Sequence, residues 1–197
     1  MLDSYTQSEC PNCSRTLIGW STSGEQQLLC NITNEGGFQE NLDILPLLAE
    51  EAYLKAYPEE RRCRAFLEFC REGDIEAIAS VVKDEDDEDD DTATTNHDIL
   101  RYQDPMGGMS SGLHIAIQAR QAQVVWMLLL LASNLNLDLF PPEVHQGAEQ
   151  LKLVRENQAG KADIRALTDT EGRRAEQIAV GIGGMWNDWV RMGVFAV

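Results

Sequence analysis

The chain has 197 residues, 43% of them hydrophobic, which suits one domain with appendages and a sizeable core. Its net charge of −17 repels a phosphate backbone and attracts basic proteins, so nucleic acid is excluded as the expected ligand. Val124 to Ala132, the longest strictly apolar run, is about half of the roughly 18 residues that suggest a membrane span. The start, MLDSYTQSECPNC, carries neither a basic nor an apolar leader region. The expectation is a cytoplasmic or nuclear protein bound to neither nucleic acid nor membrane, its five cysteines reduced.

Residues 1–42 are rich in Ser, Thr, Asn, Gln and Gly. Leu17 to Trp20 and Gln27 to Ile32 offer two short strands about Ser23-Gly24, but nothing pins their register, and an N-terminal segment of low order is expected. Cys10-Pro11-Asn12-Cys13 has the spacing of half a zinc site. Cys30 is the one further thiol nearby and a fourth ligand is missing, so free thiols and no metal or cofactor are expected. A zinc-binding N-terminal module with a regulatory stack is a third reading of the chain's function.

Helical patterning begins near Asp43. Pro46 suits a first turn, and Leu47, Leu48, Ala52, Tyr53 and Ala56 make one apolar side until Pro58. A second helix is predicted from Glu59-Glu60 to Glu72-Gly73, and a third from Ile75 to Val82 behind an Asp74 cap. Asp84, Glu85, Asp86, Asp87, Glu88, Asp89, Asp90 and Asp91 then form an unbroken acidic run. Like charges at i and i+4 repel, so a solvated loop over 83–98 is predicted. The run lacks the spaced ligands and the glycine of a calcium loop.

Between Asp104 and Ser133 an Asp-Pro/Gly turn leads into a short helix at Leu113 to Ile117. A polar break at Gln118 to Gln123 precedes a strongly apolar helix from Val124 to Leu131. An inserted segment, 134–164, contains a predicted helix from Glu143 to Asn157 after Pro141-Pro142. A last helix pair turns at Gly183-Gly184, with Trp186, Trp189 and Val190 apolar on the final helix. No Ser, Cys or His constellation suggests a catalytic centre, and an enzyme is not expected.

Ser111-Gly112-Leu113-His114-Ile115-Ala116 resembles the T-P-L-H-x-A signature of ankyrin repeats. Phe66 to Ile78 is similar to the helix–turn–helix half of a first repeat. Leu167 to Ala179 is similar to a third, its Asp169-x-x-Gly172 matching Asp104-x-x-Gly107. Gly73, Arg120 and Gly183 then hold equivalent turn positions, and their intervals exceed the period of about 33 residues by roughly 14 and 30. The acidic run and the 134–164 insertion account for the excess.

The resemblance implies an all-α fold: a short ankyrin-like helical repeat stack over 43–197 with irregular hairpins, an acidic loop and a poorly ordered N-terminal segment. It implies an adaptor or scaffold for protein–protein interaction. The binding positions it implies are Gln103, Asp104, Met106 and Gln118, with Asp169, Glu171 and Arg173 in the third unit. His114 is implied to steady the turn between hairpin and helix rather than to catalyse. The alternative function is an acidic, chaperone-like holder of a basic client such as a ribosomal protein or histone, with residues 84–91 supplying the attraction.

Overall fold

The computed structural model describes residues 9–10, 12–86 and 98–197. The chain divides into two compact units, Met1–Glu60 and Arg61–Val197, rather than after residue 42. The fold is mixed α/β and not all-α, because eight helices are accompanied by three small antiparallel sheets among the described residues.

The N-terminal unit holds two of those sheets where low order is expected from the sequence. Strands β1 (Gly19–Trp20) and β2 (Gln26–Gln27) pair with Gly19 opposite Gln27. Gly24 closes their turn at a φ of 82°, a conformation glycine adopts without a Cβ penalty. A longer hairpin pairs β3 (Leu29–Asn34) with β4 (Gly37–Asp43). Its turn is made by the Asn34 side chain, whose Oδ1 accepts the Gly36 N–H at 2.9 Å, and by Gly37 at a φ of 120°. This hairpin is not among the elements expected from the sequence, and two features fix its register. A bulge lies between Cys30 and Ile32, and the Leu28 N–H donates to Asp43 Oδ1 at 2.8 Å. The same carboxylate accepts the Leu45 N–H at 3.1 Å at the start of α1 (Leu45–Ala56), where Pro46 occupies the first turn.

In the second unit α2 (Glu60–Glu72) and α3 (Ile75–Asp86) are joined through Gly73 at a φ of 85°. Helix α3 runs to Asp86, so the loop predicted over 83–98 begins later than expected. Ile78, Ala79 and the half-buried Val81 and Val82 anchor this helix strongly enough to carry it into the first acidic residues. Asp87 to Asp91 lie outside the described residues. The third sheet is the hairpin of β5 (Gln103–Asp104) and β6 (Ser110–Ser111). It feeds α4 (Gly112–Gln118), which turns at Arg120 into α5 (Ala122–Ala132).

Helix α5 is the centre of the core. Val124, Val125 and Met127 to Ala132 are all buried, and burial of each large side chain is worth about 1.5–3 kcal/mol. Helix α6 (Pro142–Gln150) is shorter than the helix predicted over 143–157. Lys152 adopts a φ of 52°, and the Leu153 N–H closes onto the Ala148 carbonyl at 2.8 Å. The chain then serves as a cap: the Glu156 N–H and Gln158 Nε2 both donate to the Leu131 carbonyl, at 3.1 and 3.0 Å. Helices α7 (Ala175–Ile182) and α8 (Trp186–Arg191) form the last pair. Trp186 is fully buried, and its Nε1 donates to the Ile117 carbonyl at 3.2 Å, tying α8 to the end of α4. Among the described residues no helix is long and apolar enough to cross a membrane.

Candidate functional site: the hairpin edge of the second unit

The edge begins at an aspartate that turns the chain. Asp104 accepts the Met106 N–H at 2.9 Å and forms an ion pair with Arg64 of α2. Only 5% of Asp104 is exposed, so the structure gives it to the turn and to the α2 contact rather than to a binding surface. Asp169 does the same work one unit later. Its Oδ1 accepts the N–H groups of Glu171 and Arg173, both at 2.9 Å, and its Oδ2 meets Arg173 Nε at 2.8 Å. Burial would raise its carboxyl, but these donors outweigh that and hold it below the ordinary carboxylate range.

The two turns lie against each other. The Gly108 carbonyl accepts the Thr170 N–H at 2.9 Å. Gln103 Nε2 bridges the units by donating to the Met109 and Thr168 carbonyls at 2.8 and 2.7 Å. Gln103 is therefore engaged in holding the edge together. The side chains left outward are Met106 at the hairpin tip, Glu171 and its ion-pair partner Arg173 at 3.1 Å. Gln118 is exposed at the end of α4.

Met109 belongs to the same edge and is absent from the residues expected from the sequence. It adopts a φ of 58° and is 36% exposed. Its signal in the sequence is the spacing of Met106-Gly107-Gly108-Met109, which puts two methionines on one tight turn. Methionine is a soft, adaptable contact residue, and exposed pairs of it suit protein recognition.

His114 stands behind the edge. Its Nδ1 accepts the Ser111 N–H at 3.1 Å, while Ser111 Oγ accepts the His114 N–H at 3.4 Å. With Nδ1 an acceptor, the ring proton sits on Nε2, which is buried without a well-formed hydrogen bond. Burial lowers the proton affinity of His114, opposed by the charge of Asp169 and by the Leu167 carbonyl. These contacts fix the junction of hairpin and helix.

The Cys10, Cys13 and Cys30 thiols belong to the N-terminal unit. Cys10 and Cys13 share a turn in which the Ser14 N–H donates to the Cys10 carbonyl at 2.8 Å and Ser14 has a φ of 52°. The N–H groups of Asn12 and Cys13, then the Cys13 thiol, lower the Cys10 pKa. Cys30 lies on β3. Among the described residues no group of three or more His, Cys, Asp or Glu side chains gathers as a metal site requires.

Asp84, Glu85 and Asp86 end α3, and the remaining five acids of the run lie outside the described residues. Ion networks that sequence reading misses hold the 134–164 insertion. Arg101 meets Asp98 at 2.6 Å and Glu156 at 3.0 Å, and the buried Arg165 meets Asp163 at 2.7 Å. Their partners are too far apart in sequence, or too ordinary in composition, for the pairing to be read without the fold. No family model, curated protein or solved structure matches the chain.

Proposed function

We propose that the second unit is an ankyrin-like protein-binding module, an adaptor without enzymatic activity that grips a protein partner along its hairpin edge. The observation that carries this reading is the alignment of the two turns. The Gly108–Thr170 hydrogen bond makes their tips one continuous edge on which Met106 and Met109 stand exposed beside Glu171 and Arg173. The recurrence of a left-handed residue between each helix pair, at Gly73, Arg120 and Gly183, supports a repeated unit. Five free thiols suit a reducing compartment, the cytoplasm or nucleus.

The alternative, an acidic holder of a basic client, is favoured by one feature of α3. Its last residues are Asp84, Glu85 and Asp86, at the helix end where the macrodipole already places negative charge. Acids there weaken the helix, so attraction of a basic partner, rather than stability, explains the run.

The test uses a partner recovered from native extract on the immobilised full chain and then purified. Replacing Met106 and Met109 together by Glu is expected to weaken binding at least about tenfold. Replacing residues 84–91 by Ser and Gly is expected to slow association and flatten its salt dependence if the holder reading applies. Unchanged affinity in the Met variant would overturn the edge as the binding surface, whatever the acidic variant does.

A further inference from the structure

A cavity of about 260 Å³ opens between α5 and α6, away from the hairpin edge. Trp126, Met127 and Leu130 supply one wall, Val144 and Gly147 the other. Ile75, from the first turn of α3, also lines it. Glu143 is the single ionisable side chain of the lining; it is exposed and has no ion-pair partner among the described residues.

Gly147 is the informative position. It lies inside α6, where glycine is a poorer helix former than alanine. A Cβ built there would meet nothing within 4 Å. The chain's own packing therefore does not require glycine, and what its lack of a side chain provides is depth in the cavity.

Size and charge select the occupant. Sites for drug-sized ligands enclose about 300–1,000 Å³, so this cavity suits one large side chain better than a free cofactor. An aromatic ring and a methionine are the surfaces against which buried anchor residues pack at protein interfaces. The exposed carboxylate of Glu143 at the mouth favours a cation next to that anchor and disfavours an acidic segment.

We propose that the α5–α6 cavity is a docking pocket for a positively charged segment of a partner protein. The segment seats one leucine-, phenylalanine- or tryptophan-sized side chain against Trp126 and sets a neighbouring Lys or Arg against Glu143. This site lies on different elements from the hairpin edge and does not rest on it.

The test pans the full chain against a displayed library of random dodecapeptides. Enriched peptides are expected to pair an aromatic or leucine anchor with an adjacent Lys or Arg. On titration they should shift the Gly147 amide and Met127 methyl resonances. They should lose at least about tenfold in affinity for Gly147→Leu, which fills the cavity from its own wall. The space above Gly147 is open and leucine favours helix, so this variant should keep the native melting temperature, with Gly147→Met as the second filling variant. Glu143→Gln should weaken binding about threefold and reduce its salt dependence. The double Met106→Glu, Met109→Glu variant should bind the peptides unchanged, which separates this pocket from the hairpin edge. Enrichment of acidic or anchorless peptides, no enrichment, or indifference to Gly147→Leu would each overturn the proposal. So would self-association that Gly147→Leu abolishes, because the occupant would then be a second copy of the chain.

Discussion

At the residue scale, His114 couples the junction of β6 and α4 to pH. Its imidazole is buried, accepts at Nδ1 from the Ser111 N–H, and takes up a proton less readily than a free histidine. In the unfolded chain it titrates near the ordinary value of about 6.5, so below that pH the unfolded state binds more protons than the folded one. Stability is then complete above about 6.5 and falls as the solution is acidified. Asp163 and Asp169, whose carboxyls are held below the ordinary value of 3.8, lose their contributions only at more acidic pH. Urea midpoints measured between about pH 7.5 and 5.5 should fall for the native chain and stay nearly level for His114→Asn. Equal slopes for the two proteins would remove His114 as the source.

At the scale of the element, α4 shows how a seven-residue helix is started and stopped. Its first residue is Gly112, and a Cβ there would lie 2.8 Å from Cε1 of Phe66 and 3.2 Å from Sγ of Cys70. Glycine permits α2 to approach the start of α4. Gly112→Ala is expected to cost about 1–3 kcal/mol through overpacking. The stop is Arg120, held at a φ of 61° with the Gln121 N–H bonded to the Ala116 carbonyl at 2.9 Å. A left-handed L-residue carries strain, so Arg120→Gly should stabilise by about 0.5–1 kcal/mol after the entropy that glycine adds to the unfolded chain. Denaturant midpoints should move in opposite directions for the two variants. A shift of the same sign in both would contradict the local geometry of one end or the other.

For the whole molecule, the buried apolar cluster runs from Cys63 to Phe195 and, among the described residues, includes none of the N-terminal unit. The second unit therefore holds a complete core of its own. A fragment beginning at residue 58 should unfold in one cooperative transition, with a melting temperature within about 4 °C of the full chain, equivalent to roughly 1 kcal/mol. A broad transition, or a larger drop, would show that the core depends on the first 57 residues. The acidic run enters this scale as well. Most of the net charge lies before residue 92, so whatever association the charge drives is expected to be steep in salt.

Most helices and the turns between them were legible in the sequence. Apolar spacing at helical period marked α1, the acidic start at Glu59-Glu60 and the glycine at 73 marked α2, and an unbroken apolar run marked α5; Pro46 marked a first turn, and Gly73, Arg120 and Gly183 marked turns where the backbone does turn left-handed. Those signals are local, because a cap, a period or a glycine acts within a few residues. The hairpin of β3 and β4 was not among the elements expected from the sequence, because its register depends on the bulge after Cys30 and on Asp43 reaching Leu28, fifteen residues away. Which polar residues remain available depends on contacts that form on folding. Asp104, Asp169 and Gln103 look like surface positions in the sequence, yet each is spent on a contact with a distant segment or on its own turn. Tertiary packing also ended α6 at Gln150, because the residues that follow are drawn out of the helix to cap α5. The same packing created the α5–α6 cavity, whose walls come from separate helices and whose depth depends on what Gly147 does not fill. Patterning records what each residue prefers nearby, whereas burial, pairing and empty space are set by neighbours that the chain acquires only on folding.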